Sequence, residues 1–307
     1  MARKDPDLEN FFDMFRQHLA ELRKLPLAEL RASFDADMEA VPLAAGSLVE
    51  RLEFSGTPAE KIVHPDVVPG KTLFYLHGGG YVLGSLKSHR HLVSRLAVAA
   101  KATAYHLDYR LAPEHPYPAA LEDAVKAYRA ILRSGIAPED LIVGGESAGG
   151  NLATALLLKA REEDLPQPAG LYLLSPWLDT KTNGVSYDTV GDRDPMTSRV
   201  YMEEYAAAFL GGKPDDLFTS PVRADLDGLP PILIQVGTEE VLLSDSLNFT
   251  SRAALAALDV RLDVWPQMPH AWLLLHPFIP AALPAIDEAG QWMQLRFKRA
   301  RSGPPAM

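Results

Sequence analysis

Leu141–Leu158 reads LIVGGESAGGNLATALLL. A short apolar strand pattern runs into Gly145-Glu146-Ser147-Ala148-Gly149, and a helical pattern follows. The pentapeptide fits G-x-S-x-G, which chains of this length match by chance often enough that the letters alone say little. The setting says more. With a strand before it and a helix after it, the spacing describes a sharp turn that exposes a serine hydroxyl at the carboxyl end of a sheet, with small neighbours leaving it room. The bland alternative is an ordinary tight strand-to-helix turn.

Working outward, strand patterns recur at TLFYLH (72–77), ATAYHLDY (102–109), GLYLLS (170–175), PILIQVG (231–237) and VRLDVWPQ (260–267). Helical patterns separate most of them. Apolar runs without strict alternation describe strands covered on both faces, and alternating strand and helix units predict a doubly wound, mostly parallel α/β sheet. SLVERLEF (47–54) and EKIVHPDVV (60–68) add two short strand-like pieces, for about eight strands in all. Two segments stand outside this rhythm. Leu8, Phe11, Phe12, Phe15, Leu19 and Leu22 form an apolar stripe at helical spacing, and a second helix is expected with Pro26 at its first position. Residues from about Asn183 to Leu217 form an insertion containing the helical SRVYMEEYAAAFL (198–210).

The 307 residues allow one large domain or two small ones, and the 47% hydrophobic and 23% charged content suits a soluble globular protein. A net charge of -10 argues against a nucleic-acid partner. The basic cluster RFKRARS near Arg296 reads as a solvated helix end. Without cysteine there is no disulfide, thiolate nucleophile or cysteine-bound metal. No signal peptide is visible, and no run approaches the ~18 apolar residues of a membrane span, so a soluble cytoplasmic protein is expected.

A serine hydroxyl is scarcely ionised at neutral pH and needs a base. Among nine histidines, His89, His91, His106 and His115 read as structural from their positions in helix, strand and proline-rich loop. His270, in WPQMPHAW (265–272), follows the last strand pattern and so falls at the same sheet edge as Ser147, where ligands of open α/β sheets collect. The base in turn needs a carboxylate to hold its tautomer. ILIQVGTEEVLLSDS (232–246) offers Glu239, Glu240 and Asp245, and spacing does not choose among them. HGGG at 77–80 would let backbone N–H groups crowd a developing oxyanion, together with the N–H that follows the serine. Neither glycine cluster has the spacing of a nucleotide-binding loop.

These residues resemble the bacterial hormone-sensitive-lipase-like esterases, the HGGG/GDxG family of α/β-hydrolases. The likeness runs from about Lys71 to the C-terminus, through YLHGGGYVLGS (75–85), YRLAPEHPYPAALED (109–123), GGESAGGNLA (144–153), LLSPWLD (173–179), SPVRADLDGLPPILIQVGTEEVLLSDS (220–246) and MPHAW (268–272). The resemblance implies an α/β-hydrolase fold under a helical cap and cofactor-free, metal-free hydrolysis of short- to medium-chain acyl esters. Residues 1–45 would form the cap, residues 46–307 the catalytic domain, and about 183–217 a second cap segment. Carried over by position, Ser147 is the nucleophile, His270 the base, and Gly78, Gly79 and Ala148 the oxyanion donors. Glu240 stands where the family usually has aspartate, with Asp245 as the alternative, and Glu146 replaces a more usual aspartate in a supporting place. DRDPM (192–196) contains Asp-Pro, yet it precedes the strand that should carry the acid and reads as cap sequence. A cap built on Phe11, Phe12, Phe15 and Leu19 would line or close the pocket. A lactonase or natural-product deacetylase would use the same groups. A ligand receptor on this scaffold, as in the plant gibberellin receptors, lacks the base histidine that this chain keeps. The expected partner is a small ester, with no nucleic acid and no membrane, and family analogy allows a homodimer.

Overall fold

The computed structural model describes residues 5–302, with side chains to 300. Residues 1–4 of the expected cap and 303–307 lie outside the described residues, as do the side chains of Arg301 and Ser302 from the C-terminal basic cluster. The strands are β1 (Leu48–Phe54), β2 (Thr57–Val63), β3 (Thr72–Leu76), β4 (Thr103–Leu107), β5 (Leu141–Glu146), β6 (Gly170–Leu174), β7 (Ile232–Gly237) and β8 (Val260–Trp265). The helices are α1 (Pro6–Leu22), α2 (Leu27–Glu39), α3 (Leu86–Ala100), α4 (Ala119–Arg133), α5 (Ala148–Glu162), α6 (Ser186–Thr189), α7 (Arg199–Leu210), α8 (Leu243–Leu255) and α9 (Ala282–Ser302).

The strands form one sheet in the order β1-β2-β4-β3-β5-β6-β7-β8. The two contacts made by β2 are antiparallel and every other pairing is parallel. This is an α/β-hydrolase fold. Central strands β3, β5, β6 and β7 are buried along their whole length, which is why their sequences run apolar without alternation. Successive side chains still point to opposite faces. Leu73 and Tyr75 join α3 and α9 through Leu92, Leu96, Ile286 and Met293. Phe74 and Leu76 join α4, α5 and α8 through Tyr128, Leu156 and Phe249. The outer strand β1 carries Glu50, Arg51 and Glu53 and is mostly exposed, charges that discourage pairing with another edge.

Two local expectations are corrected. Pro26 is the N-cap of α2, and the helix begins at Leu27. The basic cluster ends α9 with Lys298 and Arg299 exposed, as expected, but Arg296 departs from it: its side chain is 11% exposed, lies over the Trp292 ring and pairs with Asp259 at 2.5 Å. Among the described residues no helix is long and apolar enough to cross a membrane.

Asn151, in the first turn of α5, ties the layers together behind the serine turn. It is fully buried, donates to the Trp177 and Thr219 carbonyls at 2.9 Å each, and accepts from the Tyr81 hydroxyl at 2.8 Å. Asn151→Ala leaves those three buried groups without this partner. It should lower unfolding free energy by roughly 3 kcal/mol in urea denaturation; a loss below about 1 kcal/mol would show that the hub carries little.

Candidate active site

Ser147 joins β5 to α5 at φ 54°, ψ -120°, a conformation that costs a residue with a Cβ of order 1–3 kcal/mol. The neighbours make it tolerable. A Cβ at Gly145 would run into the Gly149 carbonyl, and one at Gly149 would run into the carbonyls of Leu76 and His77. The serine side chain does not cap α5, so its Oγ is left for another partner. That partner is His270, whose Nε2 lies 2.9 Å away.

His270 follows β8, and its Nδ1 is 3.0 Å from Glu240 Oε2. Glu240 sits three residues past the end of β7, and its longer side chain folds back so that Oε1 accepts the Gly237 N–H at 2.5 Å. The same oxygen accepts the Ser175 hydroxyl at 2.8 Å, and Ser175 Oγ accepts the Ala271 N–H at 3.1 Å. The extra methylene is thus absorbed by a closed ring of hydrogen bonds. Of the carboxylates spacing left open, Glu239 pairs with Arg193, while Asp245 accepts from the Leu178 and Asp179 N–H groups at 2.8 and 3.0 Å. Asp245 therefore makes none of the recorded contacts with His270. Sequence reasoning missed Ser175, whose only signal was its place in LLSPWLD.

Burial opposes a proton on His270, but the hydrogen bond and charge of Glu240, aided by Asp194 and Glu146, outweigh it and raise the imidazole to about 9. His77 goes the other way, lowered to about 3 by burial and by His89, so the histidine of HGGG is neutral. It is structural: Nδ1 bonds the Gly78 carbonyl at 2.8 Å and the ring stacks on Tyr109 at 4.2 Å.

The glycine loop departs from expectation at one position. The Gly78 N–H donates to Glu146 Oε2 at 3.0 Å, and the Glu146 carboxylate occupies the space a Cβ at Gly78 would need. Glu146 also meets His89 Nε2 at 3.0 Å. Gly78 is therefore committed to holding the loop against the serine turn. Gly79 and Gly80, at φ 104° and 64°, line the cavity over Ser147. Among the described residues no protein acceptor is recorded for the N–H of Gly79, Gly80 or Ala148.

The cavity measures about 80 Å³. Leu19, Leu22 and Arg23 reach it from α1, Leu30 and Phe34 from α2, and Met196, Met202 and Tyr205 from the insertion. Arg23 stacks at 3.5 Å on Tyr201 and donates to the Met196 carbonyl, binding the two segments together. Of the four cap residues named from sequence, only Leu19 lines this cavity. Phe11 and Phe15 instead line a separate groove with Phe278, on which Phe11 stacks at 5.0 Å, and Phe12 faces a third pocket. A larger cleft of about 590 Å³ between α4 and α5 contains none of the groups above.

Residues 73–274 match a family model described as the alpha/beta hydrolase fold. An acetyl-hydrolase of Streptomyces hygroscopicus is 43% identical over 233 residues, 76% of this chain and 78% of that protein. The crystal structure of an esterase from the bacterial hormone-sensitive lipase family superposes with TM-score 0.90 at 40% identity, covering 96% of this chain and 99% of that one. An esterase crystal soaked with p-nitrophenyl butyrate gives TM-score 0.90 at 37% identity, covering 96% and 100%.

The site also holds a carboxyl whose charge is costly. Burial raises Asp245 to about 8 despite its two N–H bonds. The folded chain then keeps a proton that the unfolded chain releases above about pH 4, so this contribution to stability is lost as pH rises through about 8. Asp245→Asn keeps an oxygen for both N–H groups and removes the charge. Its melting temperature should gain on wild type steadily as pH rises from about 5 to about 8.5; a difference independent of pH would contradict this.

Proposed function

The chain belongs to the α/β-hydrolase fold family, among the bacterial hormone-sensitive-lipase-like carboxylesterases, and from that membership we propose that it cleaves short-chain acyl esters through an acyl-enzyme on Ser147. The observation that carries the reading is the continuous hydrogen-bonded chain Ser147–His270–Glu240 beside backbone donors that have no acceptor among the described residues. Ser147 Oγ attacks the acyl carbon while His270 Nε2 takes its proton, and Glu240 holds the ring through Nδ1–H. The oxyanion is received by the N–H groups of Gly79, Gly80 and Ala148, the last reinforced by the positive end of α5. His270 then gives the proton to the departing alcohol, and water deprotonated by the same nitrogen releases the acid.

We propose residues 5–45 and about 183–217 as two halves of a cap, the first continuous with the undescribed residues 1–4. Both halves line the cavity and Arg23 joins them. At about 80 Å³ the cavity is far below the ~300 Å³ of sites for drug-sized ligands, which favours an acyl group of a few carbons. A deacetylase acting on a larger alcohol is the second reading, favoured by that small cavity and by the acetyl-hydrolase relative.

With p-nitrophenyl esters from acetate to palmitate, activity should peak at acetate or butyrate and fall steeply by octanoate. Ser147→Ala should lose on the order of 10⁶ in kcat; retention of activity would sink the mechanism. The pH profile gives a second test. Turnover needs neutral His270, so kcat/KM should rise along a limb centred well above the ordinary 6.5, toward about 9. A limb at or below about 6.5 would contradict the balance of charges at the base.

A further inference from the structure

The sequence placed DRDPM (192–196) outside the chemistry because it precedes β7, yet its aspartate reaches the site from the side. Asp194 lies in the turn between α6 and α7, is 5% exposed, and accepts three backbone N–H groups. Oδ1 takes those of Met196 at 2.9 Å and Thr197 at 3.3 Å, both on residues that line the cavity. Oδ2 takes that of Val241 at 3.2 Å, the residue following Glu240. One carboxylate thus joins the cavity-lining turn to the loop that carries the acid, across 47 residues of sequence.

We propose that Asp194 is a positioning residue of the hydrolytic site, which pins the Glu240 loop against the cap turn and sets a further negative charge beside the His270–Glu240 pair. This rests on the reading of Ser147 and His270 above. Burial raises Asp194 to about 6, opposed by the attraction of His270 and assisted by the repulsion of Glu240, so it is ionised at the slightly alkaline pH where His270 begins to act. The charged and titratable groups that face it are His270, Glu240 and, from α6, Tyr187. Those that face His270 are Glu240 at Nδ1, Glu146 at 3.9 Å from Nε2, and Asp194. Glu240 orients the ring, and Glu146 is engaged with Gly78 and His89. Asp194 makes no recorded hydrogen bond to the ring, so its effect on His270 is through its field and through the loop it anchors.

The test is Asp194→Asn beside wild type and Ser147→Ala, with p-nitrophenyl butyrate. The asparagine oxygen can keep the Met196 and Thr197 bonds, while the Val241 bond and the charge are lost. Without that charge the imidazolium is less favoured, so the acid limb of kcat/KM should move to lower pH by about one unit. The corresponding loss of imidazolium stabilisation should cut plateau kcat about tenfold, more than KM changes. A folded variant whose acid limb stays in place overturns the proposal even if kcat falls, because a merely structural role would lower the rate without moving the limb. If Ser147→Ala remains active, the mechanism above fails instead, whatever Asp194 does. Should Asp194→Asn not fold, the His270 imidazole resonance of wild type, followed from pH 5 to 10, decides the matter. A second inflection near about 6 supports the proposal, and a single transition overturns it.

Discussion

Everything at this site depends on a contact that contains no side chain. The carbonyls of Leu76 and His77 occupy the space where a Cβ of Gly149 would be, so the end of β3 and the first turn of α5 touch backbone to backbone. That approach puts the glycine loop after β3 beside the serine turn after β5. It also leaves Ser147 in a strained conformation that the packing around it must maintain. Glu146 completes the clamp by reaching from the serine turn to the Gly78 N–H. The glycine-loop N–H groups and the Ser147 hydroxyl are therefore placed by one junction rather than by separate loops, which is what the proposed stabilisation of an oxyanion would require.

The electrostatics follow from how few charges are admitted and where they are held. Glu240 is fully buried, a position tolerable for a carboxylate because a hydroxyl, an N–H and the imidazole all satisfy it. Asp245 is buried with two N–H donors on one oxygen, and burial wins there, raising it to about 8. The contrast shows why one carboxylate can pair with an imidazole while another, five residues along the chain, serves as a neutral brace. His270 and His77 differ by the same logic: in the first, carboxylates outweigh burial and the imidazole is raised, while the second is lowered by burial and by another histidine.

The helices outside the sheet act on this core through few residues. α1 and α2 bring a mainly aliphatic wall to the cavity, the insertion brings Met196, Met202 and Tyr205, and Arg23 crosses between them. The aromatic part of the α1 stripe faces elsewhere: Phe11 and Phe15 line a groove with Phe278, and Phe12 faces a third pocket. A single amphipathic stripe thus serves three surfaces. Its period shows that the helix has an apolar face without showing which neighbour each residue meets.

The sheet, the serine turn, the place of His270 at the same sheet edge and the order in which they come along the chain were all legible in the amino-acid pattern. Strands covered on both faces, helical spacing and small residues around a serine are local patterns, and each is legible within about twenty residues. Tertiary structure decided what local pattern cannot encode. Glu240 rather than Asp245 meets His270 because the carboxylate folds back onto Gly237 and Ser175. Gly78 holds Glu146 while Gly79 and Gly80 face the cavity, although the three are indistinguishable as letters. Asp194 reaches the acid loop and Arg296 leaves solvent for Asp259 and Trp292 by the same kind of return. Such pairings join residues remote in sequence, and their partners are set by how loops pack at one sheet edge or helix end, where distance in space and distance along the chain are no longer related.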